Sequence, residues 1–287
     1  MRYRIKNIRR FLWLWKETFR RAHRTKTLGR TSLERLLNSF KVNMKEQMQV
    51  TAILDYPRRD IRMDVGTYTL TKRLSYCAKE PETVRWLDTH IGSGDVFYDI
   101  GANIGVFSLI GWAACKGKCS IYAFEPGFEN FSAFCKNIAM NSCSDRVYPF
   151  QIALAEETKI HTFRYTDIGA GRAKHYLDSG KQVPSRRENY EFNQSVLAFR
   201  LDDFVERFNV PLPNLIKIDV DGGELGIVRG ARKTLEYAGL RSLIIEIDEA
   251  LPGHGEIFEQ LGKSGFAVVS RPSYIPGSAA NFIFEKK

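Results

Sequence analysis

Asp95-Val96-Phe97-Tyr98-Asp99-Ile100 runs straight into Gly101-Ala102-Asn103-Ile104-Gly105. A short stretch of β-forming residues thus meets a turn with two glycines, and an apolar helical run follows from Ile104 to about Cys115. Glycines in a strand-to-helix turn let the backbone approach a ligand closely. The free amides at the helix start receive a carboxylate or phosphate. In open α/β sheets, ligands bind in the crevice beyond the carboxyl ends of the strands.

The same alternation continues along the chain. Strands are expected at Cys119–Phe124, Arg146–Ile152, Leu215–Val220, Leu243–Asp248, Phe266–Ser270 and Asn281–Phe284. Helices are expected at Glu129–Met140, Leu201–Phe208, Glu224–Tyr237 and Ile257–Lys263. Short apolar strands between helices imply an α/β fold, a doubly wound, mostly parallel sheet covered on both faces. Upstream, Pro81 opens a helix over Glu82–Thr89, and Ile61–Leu74, with Gly66 inside it, reads as a hairpin. Residues 166–194 break the rhythm, and so long a connection in a compact domain is commonly a lid or binding loop. The expected organisation is therefore a basic arm at 1–45, a lead-in at 46–94 and a main domain at 95–287 carrying the insert 166–194.

Residues 1–45 hold 14 Lys or Arg against Glu17 and Glu34, a local charge of +12 that exceeds the +10 of the whole chain. The remainder is slightly acidic, which disfavours nucleic acid as a partner. Ile5, Ile8, Leu12, Trp15 and Phe19 fall on one helical face flanked by Arg2, Arg9, Lys16 and Arg20. Such a helix suits an anionic membrane surface through residues 1–30, or packing on protein. The aromatic-rich stretch Phe11–Trp15 is far shorter than the roughly 20 residues that cross a bilayer. Cytoplasmic residence, with peripheral attachment to the inner face of the membrane, is the expectation. The five cysteines, Cys77, Cys115, Cys119, Cys135 and Cys143, read as free thiols in a reducing compartment, with neither disulfide nor zinc spacing.

Two ligand classes compete for the glycine turn. A dinucleotide requires GxGxxG, and Val106 and Phe107 stand where the pattern continues after Gly105, so the third small position is missing. S-adenosylmethionine has no phosphate, and its cationic amino group suits the acid Asp99 at the strand end. Glu125 ends the second strand in YAFEP and is placed to accept hydrogen bonds from two ribose hydroxyls. That chemistry serves either nucleotide.

A second cluster follows the strand at Leu215. Period-two alternation puts Lys217 and Asp219 on one face, and such charges in an apolar strand need partners. Glu246 ends the strand LIIEI. Asp219 and Glu246 share a sheet edge if their strands are neighbours, with one acting as general base or orienter for an acceptor. Glu224 reads as a helix-start acid, and His161, His175 and His254 read as ordinary polar histidines. A metal site is not expected.

These residues resemble the FkbM-type methyltransferases. DIGANIGVFSL at 99–109, AFEPGFENFSAFCKNIAMN at 123–141, Ile152-Ala153-Leu154, RLDDF at 200–204, LIKIDVDGGELGIVRGA at 215–231 and Glu246-Ile247 carry the likeness in order. It covers roughly residues 80–285. The resemblance implies a Rossmann-like class I fold with a late antiparallel strand, S-adenosyl-L-methionine as cofactor, and O-methylation of a saccharide or glycan-lipid precursor. It implies that Asp99, Gly101, Asn103 and Gly105 line the methionine end and that Glu125 holds the ribose. Phe124 and Asn130 would border the cofactor or order that turn, Ala153 would lie by adenine, and Lys217, Asp219 and Glu246 would face the acceptor. Asp221 departs from the glutamate usual in the family, and Ala153 and Leu154 stand where many class I enzymes place an acid beside adenine. A nicotinamide-dependent oxidoreductase and a non-catalytic binding module of the same fold are the alternatives.

Overall fold

The computed structural model describes residues 13, 16–20, 30–48, 50–173, 175–178, 190–271 and 279–287. The chain divides into two compact units, Met1–Thr51 and Ala52–Lys287. In the first, the helix Ser32–Gln47 begins with a capping box. The Glu34 amide donates to Thr31 Oγ1 at 3.2 Å, and the Thr31 amide donates to the Glu34 carboxylate at 3.0 Å. The apolar face proposed for the arm lies outside the described residues, apart from Phe19, which is exposed like its neighbour Trp13.

The second unit carries the sheet. Its labelled elements are α1 (Pro81–His90), β1 (Val96–Ile100), α2 (Val106–Ala114), β2 (Ser120–Phe124), α3 (Phe128–Met140) and β3 (Val147–Phe150). Next come β4 (Ala153–Leu154), β5 (Lys159–Tyr165), β6 (Tyr176–Asp178), β7 (Phe192–Phe199), α4 (Leu201–Phe208) and β8 (Leu215–Ile218). The chain ends with α5 (Glu224–Gly230), β9 (Ser242–Ile247), α6 (His254–Lys263), β10 (Phe266–Ser270) and β11 (Ala280–Lys286). Seven strands pair in the order β10-β11-β9-β8-β1-β2-β3. β9, β8, β1, β2 and β3 are parallel, and β11 runs antiparallel to both β9 and β10. This is a Rossmann-like doubly wound sheet with a late antiparallel strand.

Alternation along the central strands builds two cores. Phe97, Ile121, Leu215 and Ile244 face the layer containing α1 and α2. Tyr98, Phe124, Ile216, Ile245 and Leu243 face the layer with α4, α5 and α6. Because β1 and β8 pair in parallel with Lys217 opposite Asp99, both charged residues enter the α1/α2 layer beside Phe107 and Ser108. The chain leaves β1 towards β2 on one side, and β8 flanks it on the other. The crevice at the carboxyl ends of these strands is where such sheets bind ligands.

The structure corrects several local expectations. Residues 61–74 do not form a hairpin on themselves. The Leu54 amide instead bonds the Ile61 carbonyl at 2.9 Å, and Thr67 caps a helical turn by accepting from the Leu70 amide at 3.3 Å. The stretch 146–152 ends as a strand at Phe150, and Ala153–Leu154 joins a second sheet of order β4-β7-β5-β6. That sheet frames the insert, whose residues 179–189 lie outside the described set. The helix read as Glu224–Tyr237 breaks at Ala231, where φ is −113°. Asp202 then accepts from the amides of Lys233 and Thr234 at 3.0 and 2.9 Å, capping the continuation. Finally, Cys115 and Cys119 form a disulfide, against the expectation of five free thiols. Lys116 and Gly117 both adopt positive φ, so the turn read as separating the two cysteines brings their Cα atoms to 5.9 Å. Cys77, Cys135 and Cys143 are free.

Candidate active site

The turn after β1 is built from left-handed residues: Gly101 at φ 81°, Asn103 at 50° and Gly105 at 83°. A Cβ at Gly101 would strike the carbonyl oxygen of Asp219, and one at Gly105 would strike the Phe134 ring. These two glycines therefore let the turn nest between the end of β8 and α3. The Gly101 and Ala102 amides both donate to the Phe124 carbonyl at 3.0 Å, while the Asn103 amide donates to Glu125 Oε2 at 2.8 Å. The Gly127 amide binds the other carboxylate oxygen of Glu125 at 2.8 Å. Burial pushes Glu125 up to about 7 despite these donors.

Two cavities meet at this turn. One, of about 350 Å³, is mostly apolar and is walled by Ile100, Phe124, Ile152, Ala153, Leu154, His161, Leu177 and Leu225 among others. The other, of about 190 Å³, is polar and contains Asn103, Glu125, Asn130, Lys217, Asp219 and Glu246. Gly101, Pro126, Phe163, Val220 and Asp221 line both, so the cavities form one crevice with Glu125 close to the seam. The donor set suits a nucleoside with a charged amino-acid tail. An apolar slot of this size has room for a purine, and the carboxylate near the seam and the acids of the polar end have the chemistry to accept from hydroxyls and from a cationic amino group.

Lys217 is the hub of the polar end. It is 2% exposed, and its Nζ donates to Asp219 Oδ2 at 2.8 Å and lies 3.9 Å from Asp99 Oδ1. Burial opposes its charge, but Asp219, then Asp99 and Glu80, hold it protonated above the ordinary lysine range. Burial alone would raise Asp219, yet Lys217 and a hydrogen bond from Glu246 hold it below the usual carboxylate range. Glu246 moves the other way, lifted first by burial and then by the charge of Asp219. The neighbouring acids are thus driven in opposite directions, Asp219 held below the ordinary carboxylate range by Lys217 and Glu246 raised above it. Ile218 pairs with Ile245 across β8 and β9, which brings the next residues, Asp219 and Glu246, to one sheet edge as their alternation implied.

The structure does not bring every candidate to the cavity. Asp99 is fully buried, receives Ser108 Oγ at 2.5 Å and lies behind the wall; Gly105 is likewise not part of the lining. Asp99 faces the core because of its parity on β1, and the backbone of Gly105 is buried against the Phe134 ring. Asn130 lines the polar cavity and accepts from the Gly171 amide at 2.8 Å. Asn103 Nδ2 and Asn130 Nδ2 both donate to the Arg172 carbonyl, at 2.8 and 3.2 Å, so part of the insert crosses the turn. Asn137 and Asn141 bind the backbone of Asp64 and Arg62 instead of the cavity, fastening the lead-in to α3.

Sequence reasoning missed Arg73 and Glu80, which line the polar cavity from the lead-in. Arg73 donates to the Gly171 carbonyl at 2.6 and 3.0 Å and stacks 4.5 Å from the Tyr76 ring centre. The one available signal was Glu80 directly before the helix-opening Pro81, and it does not distinguish a site acid from a helix-start acid. His161 and His175, read as ordinary polar residues, are buried in the cavity walls.

The sequence model of the family described as the methyltransferase FkbM domain matches residues 99–268. Among curated proteins, the chain is 27% identical over 172 residues to the hexuronic acid methyltransferase AglP of Haloferax volcanii, covering 58% of this chain and 62% of that one. It is also 27% identical over 201 residues to the 31-O-demethyl-FK506 methyltransferase FkbM of Streptomyces tacrolimicus, covering 62% of this chain and 74% of that one. The crystal structure of an FkbM methyltransferase from Methylobacillus flagellatus aligns with a TM-score of 0.46 at 16% identity, over 76% of this chain and 52% of that one. The matched family region contains the glycine turn, Glu125 and the Lys217–Asp219–Glu246 cluster, and reaches into β10. By this match over more than half its length, the chain belongs to the FkbM family of class I S-adenosylmethionine-dependent methyltransferases.

Proposed function

We propose that the chain transfers a methyl group from S-adenosylmethionine to a hydroxyl of a saccharide or glycan-lipid precursor. The observation that carries this reading is the cluster of Lys217, Asp219 and Glu246 lining the polar end of the crevice, with Lys217 donating to Asp219 at 2.8 Å and the two acids shifted in opposite directions. The cofactor supplies an activated methyl group on a sulfonium. The hydroxyl must lose its proton as the carbon–oxygen bond forms and the carbon–sulfur bond breaks. Glu246, lifted towards neutral pH, exchanges a proton there far better than an ordinary carboxylate, and in its ionised form takes the hydroxyl proton. Asp219, kept charged by Lys217, accepts from the acceptor hydroxyl or from Glu246 and so orients both. The Gly101–Asn103 turn would hold the amino-acid tail with Asn130 bordering it, Glu125 the ribose, and Phe124 with the Ala153 segment the base. Asp99 and Gly105 would act from behind, one fixing Lys217 and the other seating the turn.

The name of the archaeal relative, a hexuronic acid methyltransferase, supports a sugar as acceptor. No helix among the described residues is long and apolar enough to cross a membrane. The basic arm would bring the chain to an anionic membrane surface on the cytoplasmic side, where a glycan-lipid acceptor is presented. The test is mass spectrometry of glycans and lipid-linked glycans from cells with and without the gene, followed by transfer with the purified chain. The expected product gains one CH₂ on a sugar oxygen. Methylation confined to nitrogen or carbon, or unchanged glycans, would contradict the proposal. Deleting residues 1–30 should reduce sedimentation with phosphatidylserine vesicles, and equal sedimentation would reject the membrane role.

A further inference from the structure

His161 projects from β5 into the wall of the apolar cavity, on the same face as Phe163 and Tyr165. It is 5% exposed. Its Nδ1 lies 3.2 Å from the backbone carbonyl oxygen of Asp178 at the edge of β6. A carbonyl oxygen only accepts, so Nδ1 carries the proton of that bond, and in the neutral ring Nε2 is left with a lone pair. That Nε2 is buried and has no hydrogen-bond partner among the described residues. Buried polar atoms are nearly always satisfied, and an orphan in a cavity wall points to a missing ligand group. Ala153 and Leu154, two strands away in the same sheet, line the same cavity, and their side chains offer no acceptor to a purine edge.

We infer that His161 Nε2 is the acceptor that reads the exocyclic amino group of the adenine ring, replacing the acid absent at Ala153. The inference rests on the S-adenosylmethionine reading and deepens it. The acceptor comes from the second sheet, so β5 and β6 act as a wall of the base pocket. Fixing Nδ1 on Asp178 sets the tautomer, and with it the preference for a donor on the ligand. A base that lacks the amino group leaves Nε2 buried and unpaired, which costs about tenfold in affinity.

The experiment is calorimetric titration of the full chain with S-adenosylhomocysteine and with its analogue lacking the 6-amino group on the purine. The intact protein should bind S-adenosylhomocysteine about tenfold more tightly than the analogue. His161→Phe should bind the two alike, and His161→Gln, which restores an acceptor, should recover part of the preference. An intact protein that binds both equally overturns the inference, and so does a His161→Phe variant that keeps the full preference. The comparison on the intact protein stands even if the phenylalanine variant does not fold. Failure of the intact protein to bind either compound overturns the cofactor reading itself and this inference with it, a result distinct from binding without discrimination.

Discussion

Lys217 and Asp99 are register partners on adjacent parallel strands, and the lysine Nζ stands 3.9 Å from Asp99 Oδ1 while donating to Asp219 Oδ2 at 2.8 Å. One buried cation thus ties the strand before the glycine turn to the end of β8. Replacing Lys217 by Met leaves the fully buried Asp99 and the half-buried Asp219 without their counter-charge; breaking a wholly buried pair costs about 3–5 kcal/mol, and the exposure of Asp219 brings the loss towards or below the lower end. The urea midpoint of Lys217→Met should fall accordingly, and adding Asp219→Asn should recover part of the loss. An unchanged midpoint would show that the ion pair does not organise the site.

Gly101 has φ 81°, and a Cβ there meets the Asp219 carbonyl. Gly101→Ala combines left-handed strain with a backbone clash, so a loss of about 2 kcal/mol or more is expected, with cofactor affinity falling as the turn shifts. Thermal unfolding with and without S-adenosylhomocysteine measures both. Wild-type behaviour would mean that the turn does not nest against β8.

Acids raised by burial set the pH dependence of the free protein. Glu125 and Glu224 are each pushed up to about 7, and Glu246 is raised too, so the folded state binds more protons than the unfolded state above the ordinary carboxylate range. Their stabilising contribution is complete at low pH and is lost as pH rises through the folded values. His175, lowered by burial, works in the opposite sense but is a single group. The melting temperature of the ligand-free chain should therefore fall between about pH 5.5 and 8, and Glu224→Gln should flatten the slope. A melting temperature that climbs across this interval would contradict these assignments.

The proton-exchange role of Glu246 has its own signature. The ratio kcat/KM should increase with pH through the raised value of Glu246, because the ionised form accepts the hydroxyl proton. Glu246→Gln should lower kcat by roughly 10²–10⁴-fold and abolish that limb, with S-adenosylhomocysteine affinity nearly unchanged. A variant that keeps both its rate and its pH profile would move the base elsewhere in the cluster.

Much of this architecture is legible in the chain because the central strands are apolar on both faces and the glycine turn is local. The mostly parallel strands, the common side of Asp219 and Glu246 once their strands prove to be neighbours, and the place of Glu125 at a strand end follow from period-two alternation and the positions of turns. What escaped the reading is non-local. Arg73 and Glu80 enter the cavity through lead-in packing that no periodicity encodes. The strands β5 and β7 lie on either side of an insert without periodicity, and Ile160 and Leu197 leave apolar residues on their exposed face, which blurs the alternation. Asp99 was expected at the ligand because it ends a strand, but its parity on β1 turns it inward to Ser108 and Lys217. The Cys115–Cys119 bridge depends on two successive left-handed residues, a conformation that Lys116 does not advertise.

The most direct measurement is calorimetric titration of the intact chain and of Glu125→Ala with S-adenosylhomocysteine, with NAD as the control. The expected result is single-site binding of S-adenosylhomocysteine, weakened about tenfold or more in the variant, with no heat from NAD. Binding of NAD in place of S-adenosylhomocysteine, or equal affinity in both proteins, would contradict a nucleoside seat at Glu125.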